Sequence, residues 1–254
     1  MDLSLGDTRL IIDACKTRGV LRNQAAYVLA TAFHESAHLI KPIYERGARD
    51  YFNKYEPDTR IGEVLGNVNA GDGYLFRGRG YVQLTGRANY TKAAAKLSLD
   101  LTHLPDLALV PANAAQILVV GMMEGWFTGK TLSSYITLSS SDFVSARRII
   151  NGTDRADPIA GYASEYDALL KADGYGDVAP ASSAAPAPQA TPPAPAAPVP
   201  APAPSPAPKP PVAAPVPAKP VAKHVGIGVG AFAIGAALAN WWHEISQWFH
   251  HLIH

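Results

Sequence analysis

Apolar residues recur at helical spacing through most of the first two thirds of the chain. Between Asp7 and Thr17 the pattern places Leu10, Ile11 and Ala14 on one face, which predicts an amphipathic helix. The stretch Asn23–His38 is rich in Ala, Leu and Val and predicts a second helix, with Asn23 as its cap. Further helices are expected over Thr91–Leu97, Ala112–Glu124, Asp142–Ile150 and Ile159–Lys171. Among them lies NVNAGDGYLFRGRGYVQLTGRANY, where Gly71, Gly73, Gly78, Gly80 and Gly86 oppose a stable helix and favour loops with short strands. The expected fold class is α+β, mostly α-helical, in one globular domain over residues 1–177.

The pattern then changes. Residues 178–222 are almost entirely Ala and Pro with a little Ser, contain no aromatic residue and cannot build a core. Repeated Pro favours extended polyproline II, so this segment is expected to be a semi-rigid spacer able to reach on the order of 100 Å. Residues 223–254 form a third segment. Val225–Trp242 carries no charged side chain, and as a helix it would span about 27 Å against a bilayer core of about 30 Å. Trp241 and Trp242 close the run where interfacial aromatics belong, and small residues recur four apart at Gly226 and Gly230. The remaining HEISQWFHHLIH gathers Ile245, Trp248, Phe249, Leu252 and Ile253 on one side, which suits a membrane surface. Spanning and surface insertion both remain open, and a hairpin docked back on the globular domain is the alternative.

Composition narrows the function classes. A net charge of +1 with no basic block does not suit a nucleic-acid binder. Cys15 is the single cysteine, so no intrachain disulfide forms; its apolar neighbours predict a buried, inert thiol. The start of the chain, MDLSLGDTRLIIDACK, is broken by Asp2, Asp7 and Asp13 and lacks the features of a secretory signal.

The stretch ATAFHESAHLIKPIYERG holds two glutamates of interest. Cleavage of a glycosidic bond needs one protonated carboxyl and one ionised carboxyl on opposite sides of the bond. Glu35 follows Ala30, Ala32 and Phe33, and burial there would raise its pKa. Glu45 lies ten residues on. In one continuous helix the two would stand about 15 Å apart along the axis, beyond the roughly 6.5–9.5 Å of an inverting pair. Pro42 disfavours helix at Lys41, so the chain is expected to turn there and return Glu45 across a cleft. Two other readings stand beside this one. Both glutamates could be ordinary surface carboxylates, or His34, Glu35 and His38 could form the zinc pattern H-E-x-x-H, which needs a third ligand.

The stretch FRGRGYVQLTGRANY resembles the signature of glycoside hydrolase family 19, the chitinase and phage-endolysin family, through Phe76, Gly78, Arg79, Gly80, Val82, Gln83, Leu84 and Thr85. ARRIINGT resembles a second segment of that family through Ile149, Ile150, Asn151 and Gly152. The resemblance covers roughly residues 25–171, and the motifs come in the family's order. It implies a lysozyme-like fold with a substrate cleft and an inverting, single-displacement mechanism. It assigns Glu35 as general acid, Glu45 as general base and Thr85 as a holder of the attacking water. Gln83, Asn89 and Asn151 match positions that line sugar subsites, and no metal or other cofactor is implied. Tyr81, Tyr90 and Trp126 are candidates for stacking on sugar rings or for the core, with Tyr81 retained as a substrate-binding candidate. Arg79 is expected to clamp its loop. The chain lacks the disulfides and insertions of plant-type members and looks closer to the compact bacterial and phage branch.

The expected function is therefore hydrolysis of β-1,4 bonds in peptidoglycan, as an endolysin or muramidase, with glycan strands as partner. A monomer is expected, cytoplasmic until lysis or membrane-associated through residues 223–254. A chitinase and a non-catalytic, membrane-anchored glycan-binding module are the alternatives.

Overall fold

A computed structural model describes residues 1–176. The expected spacer over 178–222 and membrane-interacting segment over 223–254 lie outside the described residues. Among the described residues no helix is long and apolar enough to cross a membrane.

The described chain is mostly helical with a minimal sheet, as its hydrophobic periodicity predicts. Helix α1 (Thr8–Thr17) turns Ile11, Ile12, Ala14 and Cys15 inward, leaving Leu10 half-buried. Helix α2 (Arg22–Glu35) is buried over Ala25–Ala32, where four alanines let neighbouring elements approach its backbone closely. Helix α7 (Ala156–Ala172) packs along it with Ile159, Ala163, Tyr166 and Leu170, a spacing of one helical face. Helix α6 (Pro111–Glu124) packs against α1 and closes the main core with Ala114, Ala115, Leu118, Val119 and Met122. Proline at its first position and Gly125 in a left-handed conformation after it (φ 70°) mark its ends.

A second apolar cluster joins α6 to helix α5 (Arg87–Leu97) through Phe76, Leu84, Tyr90, Ala93, Ile117 and Trp126. A third and smaller one holds Phe52, Tyr55 and Leu65, between a 3-10 turn at Arg49–Tyr55 and the short helix α3 (Arg60–Val64). The Gly-rich stretch forms loops, as expected, plus one helical turn, α4 (Asp72–Leu75). The sheet has two strands: β1 (Ile43–Tyr44) runs antiparallel to β2 (Arg79–Gly80), with Ile43 opposite Gly80 and Tyr44 opposite Arg79.

Three local expectations need correction. Helix α2 starts at Arg22, so Asn23 sits inside its first turn and is not its cap. The Asn23 amide instead donates to the Thr137 carbonyl and Ser141 hydroxyl, both at 2.8 Å, tying α2 to a distant loop. The segment Asp142–Ile150 is not an α-helix but a 3-10 turn over Ser145–Ile149 that turns Arg147 inward. Finally, Pro42 does not end α2. The helix stops at Glu35, and the reversal is made by Ser36, whose hydroxyl donates to the Ala32 carbonyl at 2.6 Å and accepts the Ile40 amide at 2.8 Å. Ala37, His38 and Ile40 all have positive φ (54°, 66° and 47°), a conformation held by these bonds and by the His38 amide on the Phe33 carbonyl at 2.8 Å.

Ser36→Ala leaves the buried Ile40 amide without its acceptor. The expected cost is about 1–3 kcal/mol, read as a lower urea midpoint with an unchanged slope.

Candidate active site

Glu35 is the last residue of α2, and its side chain is fully withdrawn from solvent. Its Oε1 accepts from Arg147 Nη1 at 2.5 Å, and Arg147 is equally buried. The Arg147 Nε donates to the Asp154 carbonyl at 2.9 Å, fixing the plane of the guanidinium. Burial pushes the Glu35 carboxyl above its ordinary value, and the neighbouring Arg147 charge opposes this only in part. Among the described residues, Glu35 Oε2, Arg147 Nη2, His34 Nδ1 and Asn151 Nδ2 find no hydrogen-bond partner. Asn151 belongs to the same turn, for its amide bonds the Arg147 carbonyl at 3.0 Å while its Oδ1 accepts from the Gly152 amide at 2.8 Å. Unpaired buried polar atoms cost free energy, and such atoms on a carboxyl and its partner are the kind of exception that marks functional sites.

Glu45 is positioned by different means. It directly follows β1, its amide bonds the Gly78 carbonyl at 2.8 Å, and its side chain is also buried. Both carboxylate oxygens accept hydrogen bonds: Oε1 from the Tyr55 hydroxyl and Oε2 from the Gly78 amide, each at 2.9 Å. Gly78 is required here, since a Cβ would lie 2.8 Å from Gln83 Oε1 and 3.1 Å from Glu45 Oε2. Burial raises the Glu45 pKa, with the Gly78 amide and Tyr55 hydroxyl pulling the other way.

The other expected site residues form a chain beside Glu45. Gln83, in a left-handed conformation (φ 54°), donates through Nε2 to the Ile43 and Gly80 carbonyls, both at 3.1 Å, bracing β1 against β2. The Thr85 hydroxyl donates to the Gln83 carbonyl at 2.8 Å, and Asn89 Nδ2 donates to the Thr85 carbonyl at 2.8 Å. Arg79 is the expected clamp: it holds Asp106, the Leu75 and Arg77 carbonyls and the Tyr90 hydroxyl. Gln83, Thr85 and Asn89 thus form a hydrogen-bonded chain that braces the strands beside Glu45, while Glu35 and Asn151 lie in another network around Arg147. No hydrogen bond or ion pair directly joins Glu35 to Glu45.

Tyr81 is a correction. It is fully buried in the main core, and its hydroxyl donates to Asp7 Oδ2 at 2.8 Å, so its ring presents no face for a sugar. Tyr90 and Trp126 likewise belong to the second core cluster. Two residues were missed from sequence. Arg147 stands in SARRII, where a basic residue at an otherwise apolar, inward position was the available signal. Tyr55 carried no distinguishing signal, because its role depends on a contact across ten residues of irregular chain.

The H-E-x-x-H pattern does not survive as one helical face. Since α2 ends at Glu35, His38 lies in the reversal with its ring stacked on Phe33 (centroids 4.4 Å apart). His34 is pushed down to about 4, first by burial and then by the Arg147 and His38 charges, and is neutral near pH 7. Among the described residues no three His, Cys, Asp or Glu side chains are grouped to hold a metal ion. Comparison of the chain with protein-family models gives no match, and comparison with curated proteins gives none.

The raised Glu35 pKa has a consequence for stability. The native state holds this proton above pH 4.5, where the unfolded chain has released it, so stability falls as pH rises from there through the native pKa. Glu35→Gln keeps an oxygen for Arg147 but cannot ionise. Relative to wild type it is expected to gain stability progressively between acid pH and the native pKa, measured by urea denaturation across pH; a pH-independent difference would contradict the assignment.

Proposed function

We propose that residues 1–177 are an inverting glycoside hydrolase of the family 19 kind, with a lysozyme-like fold and cleft, acting on β-1,4 bonds of peptidoglycan. The observation that carries this reading is the contrast between the two buried carboxyls. Glu45 has a donor on each oxygen, and these two bonds favour its ionised form against the burial that raises its pKa. Glu35 has a donor on one oxygen and a buried, unpartnered second oxygen, the place for a proton to be given to a leaving group.

The roles follow from donor and acceptor chemistry. A water held by both Glu45 and Thr85 would meet two acceptors, because the Thr85 hydroxyl proton is already committed to the Gln83 carbonyl. Both water hydrogens are then engaged, and a lone pair is left to attack the anomeric carbon. Glu45 takes the water proton while Glu35 Oε2 protonates the departing oxygen, inverting the configuration in one displacement. Arg147 then stabilises the carboxylate that Glu35 becomes. Because Glu35 is sealed from solvent, the groups over Oε2 move aside when a glycan strand enters. Asn89 and Asn151 amides serve N-acetyl and hydroxyl groups of the substrate.

Peptidoglycan is preferred over chitin on the resemblance to the compact bacterial and phage branch. Residues 223–254 would bring the enzyme to a membrane before lysis. Glu35→Gln is expected to lower kcat on purified sacculi by about 10²–10⁴-fold while glycan binding persists. Wild-type kcat/KM should be bell-shaped, failing at low pH as Glu45 gains a proton and at high pH as Glu35 loses one. NMR of the first product should show the inverted anomer. Near wild-type turnover by Glu35→Gln, or a retained anomer, would remove this mechanism.

A further inference from the structure

A pocket of about 940 Å³ adjoins the Glu45 network, walled in part by Arg49, Tyr74, Leu75, Arg77, Leu104 and Asp106. Its size is within the range of sites that take small ligands, roughly 300–1,000 Å³. Arg77 connects it to the candidate active site. This residue precedes Gly78, whose amide holds Glu45, and its guanidinium lies 4.7 Å from the ring of Tyr44, the residue before Glu45.

The charges lining the pocket do not balance. Arg79 is paired with Asp106 at 2.8 Å and Arg87 with Asp72 at 2.5 Å, while His103 faces Asp100 outside it. Among the described residues Arg49 and Arg77 form no ion pair, although the Arg77 charge also acts on Glu45 and Asp106. Both guanidiniums instead sit against the same Tyr74 ring, at 4.6 and 4.1 Å from its centroid, and Arg77 Nη1 also donates to the Tyr74 carbonyl at 2.9 Å. Two guanidiniums on one ring raise the positive potential around it, which favours an anion within reach of both. The same pocket exposes two aliphatic side chains, Leu75 (42%) and Leu104 (57%). The wanted ligand is therefore anionic and partly aliphatic, and it reaches the protein beside the bond to be cut.

We propose that this pocket holds the stem peptide of peptidoglycan, its carboxylates on Arg49 and Arg77 and its aliphatic side chains against Leu75 and Leu104. The assignment rests on the reading of residues 1–177 as a glycan hydrolase. A muramyl sugar placed at Glu45 projects its lactyl-peptide arm sideways from the glycan, and that arm carries carboxylates and methyl or methylene groups. Chitin has no such arm. Planar guanidinium forks match carboxylates with two hydrogen bonds each, so the pocket would make peptide-bearing strands the better substrate.

The test uses the full chain and the variant Arg49→Gln, with Arg49→Lys as the control that keeps the charge. KM and kcat are measured on solubilised peptide-bearing glycan strands and on the same strands stripped of peptide by an amidase. Loss of the exposed Arg49 charge is expected to raise KM on peptide-bearing strands severalfold, on the order of three- to tenfold, with kcat and the stripped-strand kinetics unchanged. No change on either substrate, or an equal change on both, overturns the proposal. Calorimetric titration with the free stem tetrapeptide supplies a readout that needs no hydrolysis. Binding that weakens in high salt and is lost in the variant supports the pocket even if wild type cuts neither substrate, an outcome that would reject the hydrolase instead. Hydrolysis of both substrates with no tetrapeptide binding rejects the pocket and leaves the hydrolase standing.

Discussion

A glutamate and an arginine with almost no access to water bind each other across 112 residues of chain. Taking two charges out of solvent costs several kcal/mol each, and their attraction recovers that cost only when geometry and additional hydrogen bonds are favourable. Here the additional bonds are incomplete, since one oxygen of Glu35 and one nitrogen of Arg147 have no partner. An apolar pair of similar shape would pack α2 against the 3-10 turn at Ser145–Ile149 without that penalty. The arrangement is better explained by what it does to the carboxyl: burial lifts the proton affinity of Glu35, and Arg147 limits the lift and waits for the negative charge.

The second carboxyl is held by backbone geometry. Ser36 stops α2, three residues with positive φ reverse the chain, and β1 then pairs with β2 in a register that places Glu45 against Gly78. A glycine is needed at 78 because carboxylate, Gln83 amide and backbone meet there within 3.1 Å of where a Cβ would stand. The two acidic groups thus arrive from opposite constraints. One hangs from the end of a rigid buried helix, and the other lies in a cradle of amide and hydroxyl donors. That asymmetry, more than their closeness in sequence, is what supports the different roles proposed for them. Beyond the Gly78 cradle, Arg77 carries the surface into a pocket lined by several arginines.

Much of this was legible in residue order. The apolar spacing in α1, α2, α6 and α7 is strong enough to place those helices, because each must bury one face and the period of that face is visible locally. The Gly-rich loop was legible for the same kind of reason: closely spaced glycines remove both helix propensity and the side chains a strand would pack. Local patterns misled where long-range contacts took over. SDFVSARRII has helical composition, but the inward position goes to Arg147, and a single 3-10 turn suffices to deliver it to Glu35. Asn23 looked like a cap because such residues compete for backbone amides. Its side chain was instead claimed by Thr137 and Ser141, which no local window contains. Tyr81 stood in a motif and was aromatic, yet the neighbours that surround its ring come from elsewhere in the fold.

What residue order determined by itself was the inventory: a mostly helical domain, a glycine loop between helices, and two glutamates either side of a break in the helix. Periodicity and backbone propensity are properties of neighbouring residues, so they can be read without coordinates. Which polar atoms are left unpaired, which arginines form ion pairs and which carboxyl is doubly solvated by donors were decided only in the tertiary structure. Those properties depend on desolvation and on distances between residues far apart in the chain, and folding sets both.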